Sequence, residues 1–120
     1  MTYEEIFYTA KENILQYNAG KTEEHFAVEV QIEGEGEGIF YIELKDKQLF
    51  VEPYDYKNHD FRMIVSGEDL IEITKGTLDP VKAFTVGSLN IEGDIDKALQ
   101  LSDVFNSIKA NTVKVKKTSK

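Results

Sequence analysis

The chain of 120 residues is the size of one domain, and a domain of this size buries roughly two thirds of the surface that its unfolded chain exposes. Its composition, 41% hydrophobic and 30% charged, is typical of a globular protein, and no apolar run approaches the roughly 20 residues that a membrane-spanning helix needs. The net charge of −8 disfavours a nucleic-acid partner, because an acidic surface repels phosphates. Cysteine is absent and residues 1–12 do not resemble a signal peptide, so we expect a cytoplasmic location.

Charge is distributed unevenly along the chain. Residues 109–120 contain five lysines and no acidic residue, which leaves 9 basic and 22 acidic residues, a net charge of −13, over residues 1–108. We therefore predict one domain over residues 1–108 and a flexible basic tail over residues 109–120. A solvated tail is the simpler interpretation, and transient contact with an anionic membrane, at about 1 kcal/mol per lysine, is the alternative.

The N-terminal segment has the pattern of an amphipathic helix. Thr2 and Glu5 can form a capping box. Apolar side chains then recur at spacings of three and four, at Tyr3, Ile6, Phe7, Ala10, Ile14 and Tyr17. We expect this helix to end near residues 18–20, before a polar linker over residues 21–24.

The next segments alternate as strands. The predicted inward positions are Phe26, Val28, Val30 and Ile32, then Phe40, Ile42 and Leu44, then Leu49 and Val51, and finally Phe61, Met63 and Val65. The first three strands form a meander. Gly34–Gly38 is predicted to be a flexible hairpin loop rather than a phosphate cradle, because Glu35 and Glu37 would repel the phosphate.

Helix start and stop signals crowd the C-terminal half. They predict helices over residues 67–75, 79–86 and 94–108, with a short strand at Leu89–Ile91 between the last two. The last helix carries a wide apolar stripe, which fits a helix lying between two apolar partners: Ile95, Ala98, Leu99, Leu101, Val104, Phe105 and Ile108. Helices separated from a meander favour an α+β fold.

Catalytic and metal-binding patterns are lacking. The serines have no nucleophile-elbow context, and His25 and His59 have no spaced acidic partner. Asp94 and Asp96 fit helix capping better than a calcium loop. We predict no catalytic residue, no metal and no cofactor, and hence a protein that is not an enzyme.

The motif order of the C-terminal half resembles the sterol carrier protein type 2 family strongly over residues 60–101, and residues 25–54 are in register. The matching residues are Ser66, Asp69, Gly76, Leu78, Pro80, Ala83, Phe84, Gly87, Leu89, Ile91, Gly93, Ala98 and Leu99. The resemblance implies a five-stranded, mostly antiparallel sheet with helices covering one face and an apolar tunnel between them, closed by the last helix. It implies a carrier of a fatty acid, acyl-CoA or sterol-like ligand, with tunnel residues Phe84, Val86, Leu89, Ile91, Leu99 and Phe105.

A filled core is the simpler interpretation of the apolar residues alone. In that alternative the chain is an interaction module, for example a homodimer joined through the last helix or through the sheet face that carries Ile64. Ile64 occupies an outward position where the family often has threonine. Retained lipid would distinguish a carrier from a ligand-free dimer.

Overall fold

Four helices and five strands follow each other in the computed structural model, which describes residues 1–17, 25–54 and 58–105. In chain order they are α1 (Tyr3–Leu15), β1 (Phe26–Glu33), β2 (Gly38–Lys45), β3 (Gln48–Glu52), β4 (Phe61–Ser66), α2 (Gly67–Lys75), α3 (Pro80–Thr85) and β5 (Leu89–Gly93). A last helix, α4, covers residues 95–105, up to the end of the described chain. These bounds confirm the predicted elements, although α1 ends at Leu15, earlier than expected.

The strands form one mixed sheet in the order β3-β2-β1-β4-β5. Three neighbouring pairs are antiparallel, and β1 pairs with β4 in parallel. The meander predicted for the first three strands is therefore confirmed, as is the α+β class with a mostly antiparallel sheet. The parallel pair places β4 beside the first strand rather than the third.

One face of the sheet carries the core, and helices cover that face. Alternate positions of β1 such as Val28 and Val30 are fully buried, as predicted. The apolar stripe of α1 joins the same core, and the ring of Phe7 meets that of Phe40 edge-on at 5.2 Å. Helix α1 packs in turn against α2 and β3.

The glycine-rich segment at the start of β2 packs closely against α1. At Gly36, whose φ of +77° favours glycine, an added Cβ would lie 2.5 Å from the Ile6 side chain. At Gly38 an added Cβ would overlap the ring of Tyr3, whose hydroxyl donates to the Ile39 carbonyl at 2.6 Å. The hairpin was predicted from sequence, but this packing role of its glycines was not.

Several predictions fall outside the described residues. These are the linker over residues 21–24, the last residues of the long helix, and the tail over residues 109–120, so the domain boundary stays a prediction. None of the helices within the described ranges has both the length and the apolar composition of a membrane span.

Candidate functional site

An apolar groove of about 90 Å³ lies between the β4–β5 edge of the sheet and the helices α3 and α4. Its floor consists of buried side chains from the sheet and from α4: Phe61, Met63, Leu89, Leu101 and Phe105. The remaining lining comes from half-buried or exposed residues and one buried serine: Pro80, Val81, Phe84, Ile91, Ile95, Ala98, Leu99 and Ser102.

The mouth of the groove is an exposed apolar rim. It consists of Val81 and Phe84 on α3 and of Ile95 and Leu99 on α4, each of them 44–49% exposed. Water contact with large apolar side chains is unfavourable, and exposed clusters of them usually mark binding surfaces. Among the described residues, ten large hydrophobic side chains are exposed, and four of them surround this one groove. The rim is therefore a candidate entrance for an apolar ligand.

Helix α3, which carries the rim residues Val81 and Phe84, is short and is fixed at both ends. Asp79 caps it, with its carboxylate accepting from the Val81 backbone amide at 3.0 Å, and Pro80 occupies the first helical turn. Ala83 is its buried anchor. Gly87, at φ +85°, turns the chain directly into β5.

Helix α4 is tied to the sheet at its start. The Asp94 carboxylate accepts from the Lys97 backbone amide at 3.2 Å, which confirms the predicted cap. The Asp94 amide donates to the Asp60 carbonyl at 3.0 Å, and the Lys97 ammonium donates to the His25 carbonyl at 2.9 Å. These contacts hold the N-terminal turn of the groove wall in place.

The other end of the described part of α4 packs on Tyr17, two residues after the end of α1. The rings of Tyr17 and Phe105 are 5.0 Å apart, and the Tyr17 hydroxyl donates to the Thr74 carbonyl in α2 at 2.6 Å. Burial raises the pKa of Tyr17. One tyrosine thus links α1, α2 and the floor of the groove.

Ser102 is the one polar residue among the described lining. It is only 6% exposed, and its hydroxyl has no hydrogen-bond partner within the described part of the chain. An uncharged lining of this kind favours an apolar ligand over an ionic one.

Five of the six predicted site residues line the groove, namely Phe84, Leu89, Ile91, Leu99 and Phe105, while Val86 does not. Val86 is 75% exposed, at the C-terminal end of α3. Residues two apart on a helix point to different sides, so Phe84 and Val86 are not expected to face the same space. Sequence reasoning missed Val81 and Ile95, although each lies three or four residues before a predicted lining residue.

An enclosed tunnel is not shown by the described residues, because the space between sheet and helices is a groove with an exposed rim. Its volume of about 90 Å³ exceeds what a water molecule requires, roughly 10–15 Å³. It is smaller than the roughly 300–1,000 Å³ usual for ligand pockets. A whole lipid chain would need a wider groove.

The opposite face of the sheet carries a charged cluster that sequence reasoning did not find. Glu29 is 5% exposed and accepts from Arg62 at 3.5 Å, while the His59 ring lies 3.2 Å from the same carboxylate. His25 lies 3.2 Å from Glu43. The described residues hold no group of three or more side chains suited to a metal ion.

A family comparison covers most of the chain: the model of the SCP-2 sterol transfer family matches residues 9–106. Hydroxysteroid dehydrogenase-like protein 2 from Homo sapiens is 31% identical over 83 residues, which are 67% of this chain and 19% of that protein. The chain therefore spans about a fifth of the length of the curated relatives it matches.

Solved structures share the fold. Palmitated SCP2L2 from Aedes aegypti superposes with a TM-score of 0.65 at 21% identity, over 88% of this chain and 95% of that one. Sterol carrier protein 2 from Aedes aegypti, in complex with palmitate, gives 0.59 at 15% identity, over 89% of this chain and 96% of that one.

Proposed function

The chain belongs to the SCP-2 sterol transfer family, and we propose that it binds the apolar chain of a lipid in the groove between β4, β5, α3 and α4. The observation that carries the proposal is the groove itself, with its apolar floor and exposed apolar rim. The two mosquito proteins of the same fold that hold palmitate support it.

Desolvation drives binding in this proposal. Each methylene group moved from water into the groove contributes about 0.8 kcal/mol, so eight of them contribute about 6 kcal/mol. This favourable free energy has to exceed the free-energy cost of losing translational and rotational freedom on binding, which is about 4 kcal/mol or more. A longer chain therefore binds more tightly until the groove is full.

Full enclosure of a lipid chain requires α3 and α4 to separate. We infer that these walls move rather than the sheet, because their rim residues are exposed whereas Phe61, Met63 and Leu89 on the sheet are fully buried. The floor would stay fixed while the rim opens. The closed tunnel would then be a property of the lipid-bound state.

We propose a fatty acid, an acyl-CoA or a sterol-like molecule as the ligand, although the groove at its present volume of about 90 Å³ holds only part of such a molecule. The described lining holds no charged side chain, so we propose that an ionised head group stays at the mouth, in contact with water. Arg62, the only arginine of the chain, projects from the opposite sheet face and is engaged with Glu29 and Glu92. It is poorly placed to clamp a carboxylate in the groove.

We propose further that the protein holds its ligand without transforming it. Acid-base catalysis needs a titratable group within hydrogen-bond reach of the reacting atom. The described groove lining offers only the Ser102 hydroxyl, with no histidine or carboxylate among the lining residues to act as its base. Incubation with a fatty acyl ester, followed by mass spectrometry of the extracted lipid, should return the ester unchanged.

Titration of delipidated protein with a fluorescent fatty acid tests the binding proposal. We expect saturable binding with one molecule per chain, and displacement of the probe by palmitate. Native mass spectrometry of the same sample shows whether the protein is a monomer with bound lipid or a lipid-free dimer. A dimer that binds no lipid probe would contradict the carrier proposal and favour the interaction module.

A further inference from the structure

We propose that the Ser102 hydroxyl is a polar anchor inside the groove, which donates a hydrogen bond to a neutral oxygen, a hydroxyl or a carbonyl, of the bound lipid. This rests on the proposed function and adds a preference for the chemistry of the buried end of the ligand. The preferred class is a lipid that carries an uncharged oxygen on an otherwise apolar body.

The evidence begins with an unmade hydrogen bond. Ser102 is 94% buried, and its Oγ has no partner among the described residues. A buried serine in a helix can donate to the carbonyl one turn earlier, which here is that of Ala98, but this bond is not formed. The large majority of buried side-chain polar atoms in proteins have a hydrogen-bond partner, so the unpaired hydroxyl of Ser102 needs an explanation.

The described lining offers Ser102 no side-chain partner, so the proposed partner is a ligand that reaches the buried Oγ as α3 and α4 separate. The other described lining residues are all apolar, so their side chains offer no hydrogen-bond acceptor. Two further buried polar atoms lack partners, on Arg62 and Gln100, but neither residue lines the groove. The unpaired hydroxyl and the apolar groove therefore coincide at Ser102 alone within the described chain.

A single hydroxyl selects for neutral oxygen over a carboxylate. Burial of an ionised carboxylate requires several strong donors or a cation, and one serine cannot replace its hydration shell. A neutral hydroxyl or carbonyl needs only one partner. A fatty acid would therefore bind with its carboxylate at the mouth and its methylene groups against Ser102.

The test compares 1-dodecanol with dodecane in displacement of a fluorescent fatty acid, on the wild type and on Ser102→Ala. Loss of one hydrogen bond should weaken dodecanol binding roughly three- to tenfold and leave dodecane binding unchanged. Ser88→Ala is the matched control, since Ser88 is exposed and does not line the groove. It should change neither ligand.

Equal dodecanol affinity in the wild type and Ser102→Ala, with dodecane still bound, would overturn the role of Ser102 and leave lipid binding intact. Failure of the wild type to bind dodecanol, dodecane and dodecanoate would overturn the proposed function itself. Thermal melting of the ligand-free proteins adds an independent readout. Because the hydroxyl is unpaired, Ser102→Ala should melt at the same or a higher temperature, and a clear fall would overturn the inference.

Discussion

Leu99 and Val86 distinguish a lining residue from an exposed neighbour of the groove. Both are largely exposed, at 49% and 75%, but only Leu99 lines the groove. Leu99→Glu should therefore lower the free energy of unfolding by less than about 1 kcal/mol, as expected for a surface site. It should weaken binding of a fluorescent fatty acid at least tenfold, about 1.4 kcal/mol, because a carboxylate then faces the apolar chain.

Val86→Glu is the matched control for that substitution, since it adds the same charge to an exposed residue outside the lining. Melting curves and titrations on the three proteins separate the explanations. Equal weakening by both variants would mean that added charge, rather than position in the groove, controls binding.

The hydroxyl of Tyr17 should contribute to the stability of the fold in a way that depends on pH. Tyr17→Phe keeps the ring contact with Phe105 but removes the hydrogen bond to Thr74, so stability at neutral pH should fall by about 1 kcal/mol. Burial raises the pKa of Tyr17 above its ordinary value of 10.0. The unfolded chain then loses this proton first, and the contribution of the hydroxyl to stability decreases above about pH 10.

Urea unfolding of the wild type and Tyr17→Phe at neutral pH and at about pH 11 checks this. The difference in stability between the two proteins should narrow at the higher pH. A difference that grows with pH would show that the phenol is stabilised in its ionised form.

Sequence reasoning placed five of the thirteen described lining residues in the site but missed the polar one. Leu89, Ile91 and Leu99 could be predicted as lining residues from the alternation of the strand and from the family motif. Ser102 carries no such signal, because a serine on an amphipathic helix is expected to face water or a backbone carbonyl. Only the packing of α4 on the sheet shows that its hydroxyl is buried beside the groove.

At the scale of elements, the N-terminal cap of α4 controls one wall of the groove. Asp94→Ala removes the acceptor for the Lys97 amide and should lower stability by about 1 kcal/mol. Lipid affinity should fall as well, because the rim residues Ile95 and Leu99 follow within two turns. Asp96→Ala, in the same first turn, loses only the favourable interaction with the helix dipole, a few tenths of a kcal/mol.

Calorimetric melting and lipid titration of the two variants test the cap. The expected order of stability is wild type, then Asp96→Ala, then Asp94→Ala. Similar losses in both variants would mean that negative charge at the helix start matters more than the capping hydrogen bond.

The helices could be predicted from the sequence because the residues that start and end a helix lie next to it in the chain. Ser66 and Asp79 act as caps, and Gly76 and Gly87 adopt the left-handed conformation that ends a helix. Strand pairing is different, since it depends on contacts distant in sequence. The parallel register of β1 with β4, such as Val30 beside Met63, has no local signal and could not be predicted.

In the molecule as a whole, the separation of charge leaves transient contact of residues 109–120 with an anionic membrane as the alternative to a solvated tail, and removing these residues tests it. Removal of this segment takes away five lysines and leaves a chain with a net charge of −13. We expect weaker association with vesicles of anionic lipid, with the difference from the full chain disappearing at high salt. Vesicle sedimentation at two salt concentrations measures it.

The melting temperature is the control for that truncation. A solvated tail contributes little to stability, so the shortened chain should melt within a few degrees of the full chain. A larger fall would show that the tail packs on the body. Unchanged vesicle binding would show that the lysines have no membrane role.

Binding of a lipid chain in the groove underlies all of these proposals, and NMR on isotope-labelled protein detects such binding residue by residue. Palmitate added to the delipidated chain should shift the methyl signals of Leu89, Ile91, Ile95 and Leu99 in a saturable way, and give nuclear Overhauser contacts between these methyls and the lipid chain. The methyl signals of Ile39 and Ile64, on the opposite sheet face, should shift little. No saturable shift, or shifts confined to that opposite face, would mean that the groove does not bind lipid.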